Sequence, residues 1–443
     1  MISVSGIRGI VGDGLTPEVV TKYASAFGTW ANGGKIVIGR DSRVSGEMVR
    51  MAVVAGLLAT GCRVIDIGIV STPTTEIAVK NLKAYGGIAI TASHNPVNWN
   101  ALKLIGPKGL FLDQAQGNEV IELALKENIQ YQHWDRLGKI EYYDHAIQNH
   151  IDQILELEYL NVSQIRDRRF KVVIDCVNGA GGIFIPKLLR EMGCEVLILN
   201  EEPHGIFPRN PEPVAENLNQ LANAVIEYKA DIGLAVDPDV DRLAIVDENG
   251  QPIGEEYTLA LAVDFILSRK PGAVVINAST SMAIDDIAQK YGCTVFRTKI
   301  GEINVSTKMH EKNAVIGGEG NGGVILPEIH YGRDAATGIA LVLQYLSASG
   351  KKISELKQTL PQYTMIKTKI DLAKVNVDQI LQKIINKNDA KKVDRTDGVK
   401  LIYDHAWIHF RKSNTEPILR TIVEARTQQE AEKLLSSFTL FFK

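Results

Sequence analysis

The chain has 443 residues, 45% apolar and 23% charged, which is too long for one core and predicts roughly three ordinary domains. With 49 basic against 52 acidic residues and a formal charge of −3, it has no large basic surface to hold nucleic acid by counterion release. No apolar run approaches the ~20 residues of a membrane span, and the opening "MISVSGIRGIVG" lacks the basic region and apolar block of a signal peptide. Cys62, Cys176, Cys194 and Cys293 form no C-x-x-C pair, so neither a zinc site nor a disulfide framework is indicated, and a reduced, cytoplasmic protein is expected.

Taken in chain order, one unit recurs. A short apolar strand, "GKIVIGRD" (34–41), precedes an amphipathic helical stretch, then "GCRVIDI" (61–67), a further segment and the apolar run "GGIAI". The second copy runs from "FKVVIDCV" (170–177) through "GCEVLIL" (193–199) to "ADIGLAV", and the third from "GAVVINAS" (272–279) through "GCTVFRT" (292–298) to "NAVIGG". Strands alternating with helices predict α/β units with largely parallel sheets, and the self-similarity predicts repeated domains. The cysteines of the G-C-x-V copies read as small core residues at strand starts. From about residue 364 the pattern changes to the strand "TMIKTKIDL", the helix "VDQILQKIINK", three strands ("VKLIYD", "AWIHFR", "PILRTIVEA") and a closing helix. The expected divisions are 1–148, 149–250 and 251–360 for the three α/β domains and 364–443 for a smaller α+β domain, with a hinge near 360–364.

The third strand of each unit leads into a polar loop, and such loops at the carboxyl ends of strands are where α/β sheets bind ligands. The first is "TASHNP" (91–96), whose Ser93 is either a nucleophile or an ordinary turn residue; it is no G-x-S-x-G elbow. The second is "DPDVDR" (237–242), which places Asp237, Asp239 and Asp241 at alternate positions and therefore on one side of an extended segment. Two such charges about 4 Å apart repel by roughly 4 kcal/mol at an effective dielectric of 20. The spacing thus favours a cation site, with all-oxygen ligands suited to Mg²⁺, over a solvated acidic turn. An EF-hand does not fit, because Arg242 occupies its glycine position and strands flank the loop. The third loop, "GEGNGG" (318–323), is neither a Walker A loop nor a dinucleotide turn; Glu319 is its one strong acceptor. In the last domain "RKSNTEPILR" (411–420) gathers Arg411, Ser413, Asn414, Thr415 and Arg420. These could wrap a phosphate dianion, or simply form a hairpin connection. A cation loop and a phosphate loop beside a serine suit phosphoryl transfer.

Together with "SGIRG", "GRDSRVSG" (39–46) and "FPRNPEPVAENL" (207–218), these four loops, in this order along the whole chain, resemble the α-D-phosphohexomutases. That family includes phosphoglucomutase, phosphomannomutase and phosphoglucosamine mutase. The resemblance implies three α/β domains and a smaller fourth around one cleft. It makes Ser93 the phosphorylated serine, which would hold Mg²⁺ together with Asp237, Asp239 and Asp241. A hexose monophosphate would receive the serine phosphate, become a 1,6-bisphosphate, turn end for end and return its other phosphate. Arg411, Ser413, Asn414, Thr415 and Arg420 would hold the phosphate that is not reacting, and Glu319 would read sugar hydroxyls. Lys103 matches the family's general base or acid. Arg8 and Arg242 are implied as partners of the serine phosphate, His94 as a support of its loop, and Thr298 to Gly301 ("TKIG") as a substrate contact.

Two departures stand out. Ala101 replaces a glycine before the lysine, and in the sugar loop Asn321 and Gly323 replace the usual serine and histidine. That loop, with "GGVILPEIHYGRDA" (322–335) and His330 as substitute histidine, resembles the archaeal-type phosphoglucosamine mutases. Glucosamine phosphate is the expected substrate, with glucose or mannose phosphate as the alternative. Rival readings are a non-catalytic sugar-phosphate sensor and a serine hydrolase or phosphatase. A monomer or homodimer is expected, without nucleic-acid or membrane partners.

Overall fold

A computed structural model describes residues 2–3, 6–371, 377–387, 389–412 and 418–439. Three of its sheets repeat one topology. In the first, Arg63–Ile69, Lys35–Arg40 and Gly86–Ile90 run parallel, and Trp99–Ile105 returns antiparallel beside Gly86–Ile90. The second has Glu195–Leu199, Lys171–Asp175 and Ile232–Val236 parallel with Leu243–Val246 antiparallel. The third has Val295–Thr298, Val274–Asn277 and Ile316–Glu319 parallel with Gly323–Ile325 antiparallel. The first sheet grows to eight strands by Lys139–Tyr142 on one edge and Ile2–Ser3, Gly6–Val11 and Gly14–Leu15 at the other. The thrice-repeated unit read from the sequence is therefore present. In each copy the polar loop is the turn from the third parallel strand into the antiparallel fourth.

These third strands, Gly86–Ile90, Ile232–Val236 and Ile316–Glu319, are buried along their whole length, which is why they read as unbroken apolar runs and not as alternating ones. Cys62 and Cys194 lie in the core beside their strands, as expected, and Cys293 is half-buried.

One hydrophobic core runs through the second and third units without interruption. Its centre is the helix Glu255–Leu267 packed on the helix Ala335–Ser349. Both are buried almost all round, the pattern of a helix with no solvent face. Asp334 caps the second helix by accepting the Ala336 N–H at 3.0 Å, and Gly350 ends it in the left-handed region. Fully burying one leucine or phenylalanine stabilises by about 2 kcal/mol, so these two units hold together as one block.

The fourth unit is an antiparallel sheet in the order Thr364–Asp371, Ile418–Ala425, Trp407–Lys412, Val399–Ile402, Lys392–Asp394, with the helices Val377–Lys387 and Gln428–Thr439. The sequence reading anticipated all of these except Lys392–Asp394, whose three residues are too few to show a period. It has its own core and meets the third unit across a polar seam. Lys400 donates to the Ala278 carbonyl at 2.6 Å, Ser279 bonds His409 at 2.9 Å, and Glu424 accepts the Met282 N–H at 2.8 Å. No helix among the described residues is long and apolar enough to cross a membrane.

The second and third loops are tied directly: Leu243 N–H, just past the aspartates, donates to the Gly322 carbonyl at 3.0 Å. Gly322 has φ +86°, and a Cβ there would lie 2.3 Å from the Leu243 carbonyl oxygen. Gly322→Ala is expected to destabilise the joined second and third units by about 2 kcal/mol, read as a lower urea midpoint at unchanged m-value.

Candidate active site

The serine loop is organised by one arginine. Arg43 is 1% exposed and donates to four carbonyls of that loop: Ser93 at 2.6 Å, Asn95 and Pro96 at 2.7 Å, and Trp99 at 3.0 Å. Asp41 holds the guanidinium from behind through Arg43 Nε at 3.0 Å, and Phe207 covers its face at 5.0 Å. Burial pushes the Asp41 carboxyl up, and Arg43 opposes that shift. Ser93 takes φ +50°, a conformation uncommon for a residue with a Cβ. Its N–H donates to Thr91 Oγ1 at 2.9 Å. The result aims Ser93 Oγ at Asp237 Oδ2, 2.9 Å away in the second unit, with His94 Nδ1 at 3.3 Å.

The aspartate loop carries strain of its own. Val240, between Asp239 and Asp241, has φ +62°, a rare state for a β-branched residue. It is held there because it is buried, and because its carbonyl accepts the Ala335 N–H at 3.1 Å. Asp237, Asp239 and Asp241 are all completely buried, with ligand oxygens within 4.8 Å of one another. One oxygen of each is used structurally. Asp237 Oδ1 accepts the Asp241 and Arg242 N–H groups, Asp239 Oδ2 accepts Thr72 Oγ1 at 2.5 Å and Lys103 Nζ at 2.7 Å, and Asp241 Oδ2 accepts Arg333 Nη2 at 2.6 Å. Asp239 Oδ1 and Asp241 Oδ1 are buried with no donor. Buried carboxylate oxygens without donors, converging with a serine oxygen, fit a divalent cation.

Charge sets the protonation states here. Burial, then Asp241 and Asp239, push the Asp237 carboxyl well above the usual range. Burial also disfavours the Asp239 charge, but the Lys103 charge together with hydrogen bonds from Lys103 and Thr72 holds that carboxyl low. The Lys103 ammonium is in turn kept charged, against burial, by Asp239 and Asp241. His94 is pushed down to about 2 by burial and by Arg242 and Arg333, so its ring is neutral.

Gly6, Arg8, Thr91, Ser93, His94, Lys103, Arg242 and Arg333 line a cavity of about 190 Å³ around the serine hydroxyl. His94 and Arg242 also border a second, larger cavity of about 280 Å³ that runs to the fourth unit. Its walls include Asn277, Ser279, Ile300, Gly320, Asn321, His409, Arg411 and Arg420. The two cavities form one cleft from the serine to the start of the "RKSNTEPILR" turn. Ser413, Asn414 and Thr415 lie outside the described residues.

Thr298, Gly301 and Glu319 stand in a layer behind this wall. Thr298 Oγ1 donates to the Lys299 carbonyl at 2.8 Å. Gly301 N–H donates to Glu319 Oε1 at 3.0 Å, which also accepts Asn277 Nδ2 at 2.9 Å, while Glu319 Oε2 accepts Arg333 Nη1 at 2.8 Å. His330 faces Glu76 at 3.1 Å and not the cleft. The sequence reading missed Arg333, which joins Asp241, Glu319 and Glu302, and it gave Arg43 no role. Both stand inside quoted motifs, "GRDA" and "GRDSRVSG", and an Arg beside an Asp in a glycine-bounded turn was the available signal.

Arg43→Ala removes a buried cation from a carboxylate and four carbonyls. It is expected to cost about 3–5 kcal/mol and to expose the 91–98 amides to hydrogen exchange. Arg43→Lys is expected not to rescue, since one ammonium cannot span those acceptors.

The sequence matches the four successive domains of the phosphoglucomutase/phosphomannomutase family: α/β/α domain I over residues 2–131, domain II over 148–250, domain III over 254–363 and the C-terminal domain over 366–440. A Thermococcus kodakarensis "Phosphoglucomutase/phosphomannomutase" is 42% identical, across 97% of this chain and 95% of that protein. A Methanopyrus kandleri protein named "Probable phosphoglucosamine mutase" is 36% identical across 98% and 96%. The crystal structure of a Burkholderia thailandensis phosphoglucomutase/phosphomannomutase family protein superposes with a TM-score of 0.87 at 26% identity, covering 100% of this chain and 97% of that one. Four domains in the family's order, meeting where a serine hydroxyl faces three buried aspartates, make this chain a member of the phosphoglucomutase/phosphomannomutase family of α-D-phosphohexomutases, an intramolecular phosphotransferase.

Proposed function

We propose that the protein moves a phosphoryl group between O1 and O6 of a hexose phosphate through phospho-Ser93 and a 1,6-bisphosphate, with glucosamine phosphate as preferred substrate. The observation that carries this reading is the Ser93 hydroxyl bonded to Asp237 at the mouth of a cation-lined cavity. In the first half-reaction the P–Oγ bond of phospho-Ser93 breaks as a bond forms from phosphorus to the free sugar hydroxyl. The Lys103 ammonium, in the same cavity, gives a proton to the departing Ser93 Oγ and is restored by the proton that the sugar hydroxyl loses. Arg8, Arg242 and Arg333 offset the phosphate charge, and the neutral His94 ring supports the serine. The second half-reaction reverses these steps after the bisphosphate has turned.

Asp237, Asp239, Asp241 and an oxygen on Ser93 would hold Mg²⁺, which would supply positive charge to the oxygens of the transferring group. Arg411 and Arg420, with Ser413, Asn414 and Thr415, hold the phosphate that is not reacting. Asn321 meets the sugar directly, while Glu319, Thr298 and Gly301 fix the wall it binds against.

The phosphoglucosamine mutase name of the Methanopyrus relative and the "GEGNGG" loop support glucosamine phosphate. The name of the Thermococcus relative supports a broader phosphomannomutase/phosphoglucomutase as the second reading.

The deciding assay compares conversion of glucosamine 1-, glucose 1- and mannose 1-phosphate to their 6-phosphates, with Mg²⁺ and a trace of the matching bisphosphate. Preference for glucosamine 1-phosphate is expected; equal or faster turnover of the others overturns that preference. Ser93→Ala should bind substrate but lose turnover by about 10³-fold or more, and full activity in that variant would sink the mechanism. A further outcome concerns protons. The raised Asp237 carboxyl must ionise before a cation binds, so Mg²⁺ binding should release protons and tighten as pH rises. Calorimetry in two buffers of different ionisation enthalpy reads that release, which Asp237→Asn should abolish.

A further inference from the structure

One acid in the cleft is unused by the phosphoryl-transfer chemistry. Glu256 stands in the first turn of the helix Glu255–Leu267, and its carboxyl reaches the wall of the larger cavity beside Asn277, Gly320 and Asn321. It lies flat against the glycine loop: a Cβ at Gly320 would come within 2.0 and 2.1 Å of its two oxygens. Only a glycine at 320 leaves room for the acid there. Oε2 accepts the Ser281 N–H at 2.9 Å. Among the described residues no hydrogen bond reaches Oε1. Lys367, the cation beside it, gives its ammonium to Glu255 at 2.6 Å. Burial pushes the Glu256 carboxyl up to about 8, with Lys367 and the Ser281 N–H only partly opposing. That is how an acid short of partners behaves.

The other carboxylates nearby are already committed. Glu319 has both oxygens taken, by Asn277, Gly301 and Arg333. Glu212, at the same cavity, gives one oxygen to Arg242 at 2.9 Å and so is already paired with a cation. Among the described residues Glu256 is the acid on this wall with an open acceptor and no cation bonded to it, and it lines the same cavity as the sugar loop and the cations of the fourth unit. A monophosphate held by those cations would have its ring beside Glu256. A cation with N–H donors brought beside this carboxyl favours its ionised form and pairs with it, and the half-buried setting strengthens that pairing.

We infer that Glu256 selects amino-sugar phosphates over their hydroxy counterparts by accepting the ammonium at C2 of glucosamine phosphate. This deepens, and rests on, the glucosamine phosphate reading above. C2 takes no part in bond making, so the contact acts on binding and on the choice between sugars, and Glu256 is a specificity residue, not a proton carrier.

Glu256→Gln keeps the shape and an acceptor for Ser281 while removing the charge. The measurement is kcat/KM for glucosamine 1-phosphate and for glucose 1-phosphate, on wild type and variant, with Mg²⁺ and the matching bisphosphate. The ratio of glucosamine to glucose efficiency should fall by about 30-fold, the scale of one charge-assisted hydrogen bond, mainly through KM. An unchanged ratio, whether both efficiencies fall together or neither moves, overturns the inference and leaves the mutase reading standing. A wild type that does not convert glucosamine 1-phosphate overturns the substrate reading, and this inference with it. N-Acetylglucosamine 1-phosphate tests the wild type independently of any variant. It lacks the ammonium, so turnover as efficient as that of glucosamine 1-phosphate also overturns the inference.

Discussion

The rest of the site depends on one constraint, the burial of three aspartates within 4.8 Å of one another. Isolated, such a cluster is untenable: carboxylates repel, and desolvation penalises each charge separately. Cations brought from other parts of the chain keep it tenable. Lys103 reaches Asp239 from the first sheet, and Arg333 reaches Asp241 from the segment before the helix Ala335–Ser349. Thr72, at the N-terminus of the helix Thr72–Asn81, donates to the same Asp239, where helix polarity favours negative charge. The first three units are thus clamped around a shared charge problem, and the clamp puts the serine beside the aspartates.

Unusual backbone is stored in the serine and aspartate loops. Ser93 and Val240 both sit at positive φ, and each is over-determined by its surroundings, Ser93 by Arg43 and Val240 by the core beneath it. Such states persist only where neighbouring structure enforces them. Val240 is enforced by the continuous core of the second and third units, whose central helix Glu255–Leu267 packs against Leu243–Val246, the strand after the aspartate loop, and against both strands that flank the glycine loop. The fourth unit, with a separate core and a polar seam, is joined more loosely. An interface of that kind permits relative motion, which a cleft that must admit and release substrate requires.

The same helix explains how acids in one site can have different tasks. Glu319 is spent on Arg333, Asn277 and the Gly301 N–H, and so becomes part of the wall. Glu256, in the first turn of the central helix, keeps an open oxygen in the cleft. Residue type does not separate them; the number of donors already engaged does.

Much of the fold was legible in the sequence. Buried parallel strands read as apolar runs, and glycine-cysteine starts marked the second strand of each copy, so the repeat emerged without any contact information. The serine and aspartate loops were legible as candidate ligand loops because turn chemistry and carboxylate spacing are carried within a few residues, whereas Lys103 was named only by resemblance to the family. Arg43 and Arg333 were not assigned roles, because an arginine's partners are set by what faces it and not by its neighbours in the chain. The bonding of Glu319 to Asn277, the Gly301 N–H and Arg333 likewise leaves no trace in "GEGNGG". Glu256 was invisible within "IGEEYT", an ordinary acidic helix start.

The sequence by itself determined the α/β repeat, the fourth unit and the positions of the polar loops at the strand ends, because strand period, turn chemistry and carboxylate spacing are local properties. Only the tertiary structure decided which charges meet, which carboxylates are already satisfied and which one still faces the cleft. Those outcomes depend on burial and on donors supplied from other elements, from 14 positions away for Arg333 on Glu319 to 167 for Thr72 on Asp239.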